Sequence, residues 1–349
     1  RLQINNRNLG CRKCILDFFK QREHNMNVKV ITLNSFALES GGGNPAGVVL
    51  DASGLAEAQM LEIAKKVGFS ETAFVMESDK SDFRVRFFTP EAEVDLCGHA
   101  TIGAFHAMYE KGIIKPGRYS QETLAGILSV EIRDDGTIMM AQNQPELSES
   151  IEPGNQDYDR VCRSLGISSE CTGIKNYVAD IEGSAMTMKY VEGPNIMQRM
   201  QVVSTGLRDL IIPVESLECL RLIKPDYELI TELSRKYDIT GYHVFTLETE
   251  DENNTAQCRN FAPLFGIDEE SATGTSSGAL AGYLYENNLK SRIRLNGTIN
   301  MKFEQGYTMD RKSLISTSLD LRVRAGETAV EAVRVGGKAM DLEEITVKL

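Results

Sequence analysis

The chain has 349 residues, 42% of them hydrophobic and 25% charged, a composition typical of a soluble globular protein. Its formal net charge of −12 argues against nucleic acid or an anionic membrane as a partner, and no apolar run approaches the ~18 residues of a membrane span. This length suits two lobes of roughly 130–160 residues each, and seven irregularly spaced cysteines favour a reducing cytoplasm over a disulfide framework.

The first 25 residues differ from the rest of the chain. They carry six Lys or Arg and two Asp or Glu, and Met26 immediately precedes a clean strand pattern. We therefore predict that residues 1–25 are a leader or extension outside the fold. Cys11 and Cys14 have the spacing of half a metal site or of a redox pair. Because no second cysteine pair or histidine stands at ligand spacing, two incidental thiols are favoured.

Residues 26–146 predict an N-terminal lobe. Its apolar patterns predict strands at 28–36, 48–50, 70–76, 83–88, 126–133 and 137–140, an amphipathic helix at 55–67, and a helix at about 98–110. This last helix is apolar nearly all round, so it should be buried. The lobe is thus predicted to be a mixed sheet wrapped around one buried helix.

The segment 147–195 is polar, with weak periodicity, and we place the crossing between the lobes there. A C-terminal lobe is predicted over 196–349, and its last strand can return to the first lobe. Its patterns predict strands at 200–203, 210–214, 241–246, 296–303, 318–323 and 329–335 and helices at 226–237 and about 274–287.

The two predicted lobes repeat one pattern of residues. The first reads Arg86-Phe-Phe-Thr-Pro, an acidic stretch, then Cys97-Gly-His-Ala-Thr and an Ala-rich helix. The second reads Arg259-Asn-Phe-Ala-Pro, an acidic stretch, then Thr273-Gly-Thr-Ser-Ser and another such helix. A helix that opens with glycine and small residues leaves its first N–H groups uncovered, and these bind anions. The repeat therefore predicts two pseudo-symmetric lobes that grip a small anionic substrate between them.

Three ionisable residues are candidates for acid/base chemistry. Glu71 lies between a helix and a strand with apolar residues on both sides, and a carboxyl in an apolar cleft has a raised pKa that suits proton transfer; the alternative is a solvated strand end. His99 opens the first buried helix, whose N-terminus is expected to lower its pKa and keep the ring neutral, unless it only packs. Glu270 precedes the second buried helix, where it can also act as a cap. His106 and His243 are expected to be core residues.

Other chemistries are disfavoured. The glycine-rich turn 41–47 fits the G-x-G-x-x-A fingerprint of dinucleotide sites, but a strand pattern follows it instead of the required helix. Residues 274–278 lack the lysine of a phosphate-binding loop. Cys97 can be a thiol base of a two-base racemase, but its counterpart in the repeat is Thr273, which is too poor an acid for the partner role.

Five ordered motifs resemble the phenazine-biosynthesis PhzF-like family from about Met26 to the C-terminus. They are Asn44-Pro-Ala, Ser70-Glu-Thr-Ala-Phe-Val, Arg86-x-Phe-Thr-Pro, Cys97-Gly-His-Ala-Thr and the later Phe-Ala-Pro…Gly-Ile…Ala-Thr-Gly. The resemblance implies a diaminopimelate epimerase-like α+β fold, with two pseudo-symmetric lobes, each a mixed β-sheet around a central buried helix, and the active site in the cleft. It implies an isomerase that needs no cofactor. The family's best-understood enzyme isomerises trans-2,3-dihydro-3-hydroxyanthranilate, and a glutamate moves a proton between ring carbons.

Carried onto this sequence, the resemblance implies catalytic roles for Glu71, His99 and Glu270. Glu270 stands where the family has an aspartate, and its side chain is one methylene longer. Substrate contacts are expected, partly through backbone N–H groups, from Asn44, Gly98, Ala100, Gly274 and Thr275. The stretch 304–313 resembles the family's Glu-Gln-Gly-x-x-Met-Gly-Arg-Pro-Ser and departs from it at Asp310 and Lys312.

The expected partner is a small anionic metabolite, and the expected state is a cytoplasmic homodimer, with no nucleic acid, membrane, cofactor or metal. Two alternatives stay open at this point. One is an amino-acid racemase or epimerase, and the other is a non-catalytic protein of the same fold that binds a small acid.

Overall fold

The computed structural model describes residues 27–175, 177–190, 196–197, 199–290, 293, 295–324 and 326–349. The predicted extension of residues 1–25, with Cys11 and Cys14, lies outside this part of the chain. Its helices are α1 (Glu57–Val67), α2 (Gly98–Glu110), α3 (Gln156–Ser164), α4 (Leu217–Leu222), α5 (Tyr227–Tyr237) and α6 (Gly274–Leu284). Short 3-10 turns lie at Ser169–Cys171, Pro263–Phe265 and Tyr307–Met309, and a π turn at Tyr285–Leu289.

The strands of the first half of the chain are β1 (Asn27–Ser35), β2 (Asn44–Val49), β3 (Thr72–Met76), β4 (Phe83–Phe88), β5 (Glu93–Val94), β6 (Gly117–Thr123), β7 (Gly126–Ile132), β8 (Ile138–Gln142) and β9 (Glu146–Ile151). The middle holds β10 (Ile174–Lys175), β11 (Tyr177–Glu182), β12 (Ala185–Tyr190) and β13 (Ile196–Met197). The second half holds β14 (Met200–Ser204), β15 (Arg208–Pro213), β16 (Gly241–Thr246), β17 (Ala256–Ala262), β18 (Ile267–Glu270), β19 (Gly297–Gln305), β20 (Ser313–Arg324), β21 (Glu327–Gly337) and β22 (Ala339–Lys348).

Strand pairing repeats in the two halves. In the first half, two strand pairs are parallel, β2–β3 and β4–β6. The other pairs are antiparallel: β1–β2, β3–β4, β4–β5, β6–β7 and β7–β8. The series from β14 to β21 follows the same order of directions. We call β1–β8 with α1 and α2 the first lobe, and β14–β21 with α5 and α6 the second lobe.

Each lobe receives its last strand from the other half of the chain. β9 pairs with β14, the first strand of the second lobe, and β22 pairs with β1, the first strand of the first lobe. β8 pairs with β21, its own counterpart in the repeat. The first and last strands of the described chain therefore lie side by side, with Asn27 opposite Lys348 in the register.

The central helices α2 and α6 are buried, as predicted. Ten of the 13 residues of α2 and nine of the 11 residues of α6 are buried. Small residues let strands approach closely: a Cβ at Gly103 would stand 2.7 Å from Leu33 Cδ1, and one at Gly282 would stand 2.4 Å from Pro145 Cβ. None of the helices described here is long and apolar enough to span a membrane.

Matched contacts repeat around the two helices. Arg86 and Arg259 each form a two-pronged ion pair, with Glu93 and Glu269 respectively, and each lies over a phenylalanine ring of its own strand. Thr101 and Ser277 each donate their hydroxyl to the carbonyl four residues earlier. These matched contacts align the first lobe with the second lobe residue by residue.

The middle of the chain has more regular structure than the sequence analysis assigned to it. The segment 147–195 holds most of β9, α3, and the β11–β12 hairpin. Most residues of β11 are half-buried, so buried and exposed positions do not alternate along this strand. Its sequence therefore lacks the two-residue apolar period by which a strand is predicted. β6, α4 and β22 were not predicted either.

The carboxylate of Asp157 joins α3 to α5. It accepts hydrogen bonds from Tyr237 Oη at 2.6 Å and Arg160 Nη1 at 3.1 Å, and it contacts the Lys236 ammonium. The lysine and the tyrosine hydroxyl lower the pKa of Asp157 to about 2, against the desolvation of a nearly buried group.

Replacing this aspartate by asparagine should therefore destabilise the fold at neutral pH. A carboxyl whose pKa is depressed in the folded state adds stability while it is ionised, so Asp157→Asn should cost about 2 kcal/mol at pH 7. The difference from wild type should shrink as pH falls from about 4 to about 2. Urea unfolding over this pH range measures it, and a difference that does not change with pH would contradict the assignment. Asp159→Asn on the same helix is the control.

Candidate active site

Four predicted residues come together where the two lobes meet. Glu71 immediately precedes β3, and His99 is the second residue of α2. Asn44 opens β2, whose parallel pairing with β3 brings these strand starts to one sheet edge. Glu270, the last residue of β18, reaches them from the second lobe.

Glu71 and His99 are in direct contact. Glu71 Oε2 lies 3.2 Å from His99 Nε2. The Ser70 hydroxyl lies 3.4 Å from the same ring nitrogen, and Cys97 Sγ lies 3.4 Å from Nδ1 on the other side of the ring. The Ser35 hydroxyl donates to the His99 carbonyl at 2.6 Å and so fixes the backbone behind the ring.

Asn44 links this pair to the second lobe. Its Nδ2 donates to Glu270 Oε1 at 2.9 Å and lies 3.5 Å from His99 Nδ1. Thr273 Oγ1 donates to the other Glu270 oxygen at 2.5 Å, and Gln305 Nε2 donates to Thr273 Oγ1 at 3.0 Å. Side-chain hydrogen bonds therefore fix both oxygens of the Glu270 carboxyl group. The carboxyl group does not cap the start of α6, which was the alternative role for this residue.

The charges on Glu71 and His99 differ from the expectation. Burial alone would raise the pKa of Glu71, but hydrogen bonds and charge from His99, with Ser70 and Cys97, outweigh it and lower that pKa. Burial opposes the charge of His99, yet Cys97 and Glu71 raise its pKa well above the ordinary value. The predicted raised pKa of Glu71 and neutral ring of His99 are therefore wrong, because the two groups form an ion pair.

The neighbouring groups favour their neutral forms. Burial, opposed by His99 and by the hydrogen bonds from Thr273 and Asn44, raises the pKa of Glu270. Burial also raises the pKa of the Cys97 thiol. The cleft thus holds the Glu71–His99 pair, in which the charged forms are favoured, beside a carboxyl and a thiol whose burial favours their neutral forms.

The helix starts are open to a ligand. The first hydrogen bonds within α2 and α6 run from Thr101 N to Cys97 O and from Ser277 N to Thr273 O, and neither cap residue bonds a helix N–H through its side chain. Three predicted contact residues, Gly98, Gly274 and Thr275, are partly exposed at these starts. Ala100, the fourth predicted contact residue of the helix starts, is wholly buried and presents no exposed atom to a ligand, so the structure does not support a contact there.

Glu71, Cys97 and His99 form the one candidate group of three metal ligands in the described part of the chain. Cys97 Sγ lies 3.4 Å from Nδ1 and 3.9 Å from Nε2 of the ring, and Glu71 Oε2 lies 3.2 Å from Nε2. The three possible ligand atoms lie within 4.8 Å of one another, and they belong to the same contacts that join Glu71, Cys97 and His99.

The second lobe has no counterpart of Glu71. Thr72 pairs with Phe88, and Tyr242 pairs with Phe261, so the residue that matches Glu71 is Gly241. A Cβ there would stand 2.0 Å from the Phe261 carbonyl oxygen, so only glycine fits. The position of the second lobe that matches Glu71 therefore carries no ionisable side chain.

Sequence reasoning missed three polar residues near the cleft. Gln305 orders Thr273, and Arg311 reaches the turn before Asn44. Both lie in the stretch 304–313, whose resemblance to a family motif was the available signal. The third is Asp209, which is buried and accepts from Ser276 of α6 at 2.7 Å; nothing in the sequence marks it.

Comparison with known proteins agrees with this fold. The family model described as "Phenazine biosynthesis-like protein" matches residues 33–344. An uncharacterized isomerase of Clostridium acetobutylicum is 33% identical over 88% of this chain and 94% of its own length. An uncharacterized isomerase of Escherichia coli K12 is 29% identical over 91% of this chain and 97% of its own.

Two solved structures extend the comparison. A phenazine biosynthesis protein of the PhzF family from Bacillus anthracis has a TM-score of 0.75 and 28% identity, covering 93% of this chain and 100% of its own. A hydroxyproline epimerase from Agrobacterium vitis, solved with trans-4-hydroxy-L-proline, covers 93% of each chain with a TM-score of 0.51 and 13% identity, and is similar in fold alone. The predicted two-lobed α+β fold is confirmed.

Proposed function

Because the chain belongs to the phenazine biosynthesis-like protein family of isomerases, we propose that it is a cofactor-independent isomerase acting on a small carboxylate-bearing substrate between the lobes. Its chemistry is acid/base proton transfer. The observation that carries this proposal is the 3.2 Å contact between Glu71 and His99 beside the open start of α2. The base, its charged partner and a helix N-terminus that can bind an anion therefore lie next to one another.

Glu71 is the base in this mechanism. Its lowered pKa keeps it ionised at neutral pH, so it can take a proton from an activated carbon and return it elsewhere on the same molecule. His99 stabilises the carboxylate and orients it. Burial raises the pKa of Glu270, and in its protonated form this residue donates a hydrogen bond to a polar substituent of the substrate. The substrate carboxylate rests on N–H groups at the starts of α2 and α6.

The neutral state of Glu270 matters for this binding mode. An ionised Glu270 would add a second negative charge beside Glu71, and an anionic substrate would be repelled. With Glu270 protonated, the two helix ends and His99 face the substrate with a net positive potential.

We also propose that the protein acts in the cytoplasm as a homodimer. The described cysteines, Cys97, Cys162, Cys171, Cys219 and Cys258, are free thiols, which suits a reducing compartment. Exposed apolar side chains on α4, α5 and the neighbouring β18 segment supply a surface for a second copy: Leu222, Tyr227, Phe265 and Ile267. Light scattering of wild type and of Phe265→Asp would test the dimer, which the charged variant should weaken.

Deuterium incorporation tests the isomerase itself. The protein is incubated in D₂O with trans-2,3-dihydro-3-hydroxyanthranilate and a panel of small cyclic acids and amino acids, and products are followed by mass spectrometry. We expect label and an isomer to appear in one compound. Inversion of a chiral amino acid would show a racemase, and binding without label would show a protein that only binds acids.

A further inference from the structure

A loop of the second lobe reaches across to the glycine turn of the first. Arg311, between β19 and β20, donates from Nε to the Gly43 carbonyl at 2.9 Å and from Nη2 to Asn34 Oδ1 at 3.2 Å. The Ser271 hydroxyl, also from the second lobe, donates to the same Gly43 carbonyl at 2.9 Å. The next residue after Gly43 is Asn44, which holds Glu270 and lies beside His99.

Backbone strain is concentrated at this junction. Four non-glycine residues of the described chain have positive φ, and three of them, Phe36, Asp310 and Asp341, belong here. Asp310 precedes Arg311, the Phe36 carbonyl accepts from Leu314 N at 2.9 Å, and Asp341 accepts from Asn34 Nδ2 at 2.9 Å. Such conformations are unfavourable for the backbone and persist where surrounding contacts impose them, commonly at functional sites.

The backbones at the junction also pass too closely for any side chain. A Cβ at Gly43 would stand 2.6 Å from the Ser35 carbonyl oxygen, and one at Gly306 would stand 2.3 Å from the Arg311 carbonyl oxygen. Both glycines have positive φ, of 76° and 79°. The position of the Arg311 guanidinium against the glycine turn is therefore set by backbone on both sides.

We propose that Arg311 is a positioning residue that latches the second lobe onto the glycine turn and thereby holds Asn44 in line with His99 and Glu270. This inference rests on the proposed function. A guanidinium donates two hydrogen bonds in a fixed plane, which fixes direction as well as distance; a lysine ammonium is a point charge on a flexible stem. Arg311 touches none of the reacting groups, and acts through the turn that carries Asn44.

Hydrogen–deuterium exchange measured on the free protein tests the latch without a substrate. In Arg311→Ala, amides in peptides covering 41–47 and 268–274 should exchange at least about tenfold faster than in wild type, while peptides from the buried strand 241–246 stay protected. Added guanidinium chloride at millimolar concentration should restore the protection, and sodium chloride should not. Arg322→Ala, an exposed arginine on β20, is the matched control and should leave all peptides unchanged.

Two results would overturn the latch. One is unchanged protection of both turns in Arg311→Ala, and the other is an equal loss of protection in every peptide, which would mean that Arg311 only stabilises the fold. If Arg311→Ala does not fold, Arg311→Lys decides in the same way, because it keeps the charge and loses the paired donors. Once a substrate is identified, kcat should fall about 10- to 100-fold in Arg311→Ala and recover with guanidinium. A protein without isomerase activity can still show the latch by exchange, so the two proposals fail separately.

Discussion

Glu71→Gln should reduce isomerisation by at least about 10²–10⁴-fold with the fold intact. Glutamine keeps the size and hydrogen-bonding reach of the side chain but cannot take up a proton. Isomer formation and deuterium incorporation by mass spectrometry measure the loss. Glu62→Gln, an exposed residue of α1 paired only with Lys66 among the described ion pairs, is the control and should keep wild-type rates. Retained turnover in Glu71→Gln would remove Glu71 from the mechanism.

The same variant should change His99. Cys97 and Glu71 both raise the pKa of His99 against burial, so loss of the Glu71 charge should lower that pKa, which proton NMR of the ring can follow by titration. In wild type the reaction needs Glu71 ionised, and since its pKa lies below the ordinary glutamate value, the acid limb of the pH profile should lie below the ordinary glutamate range. An acid limb near or above pH 6 would point to another base.

Asp209→Asn should make the stability of the fold less sensitive to pH. Burial raises the pKa of Asp209 to about 7 despite hydrogen bonds from Ser276 and the Gly241 backbone. The folded protein therefore binds this proton more tightly than the unfolded chain. Its free energy of unfolding should fall as pH rises from about 4 to about 7, by up to about 4 kcal/mol from this group.

The asparagine variant lacks this proton, so its stability relative to wild type should rise over the same interval. Urea unfolding of both proteins at several pH values measures the difference. Asp157→Asn provides an internal contrast, because its loss of stability should stay nearly constant above about pH 4 and shrink only below it. A wild-type-minus-variant difference for Asp209 that is constant from pH 4 to pH 8 would show that the aspartate is ionised throughout.

The sequence predicted the parts of the fold that depend on local pattern. The bounds of α2 at Gly98–Glu110 follow from small and apolar residues on every face, and the repeat of this pattern around α6 predicted the second lobe. β22 was not predicted because most of its residues are exposed or half-buried, so its sequence has no apolar period. α6 gives way to a π turn at Tyr285, a change of hydrogen bonding that no residue type signals.

For the site, residue identities were predictable and their charges were not. Glu71 and His99 are separated by 28 positions, and each pKa was predicted from its own helix or strand. The ion pair exists only because β3 and α2 pack together. Asn44 meets Glu270 across 226 positions and Arg311 meets Gly43 across 268, so these contacts follow from the closure of the two lobes and from nothing local.

The exchange of β9 and β22 bears on how such a molecule could arise. A half-length chain with one set of these strands would leave its first strand uncovered, and two copies could cover each other by swapping their last strands. The present chain has the topology of that intertwined dimer within one polypeptide. Two identical halves would face one ligand with the same residues from both sides. One polypeptide can carry different residues at matched positions, and here it does: Glu71 in the first lobe matches Gly241 in the second. In the proposed mechanism a lone base reaches only one face of a planar substrate, so the proton that it removes would return to the face it left, a suprafacial transfer that a symmetric pair of bases could not enforce.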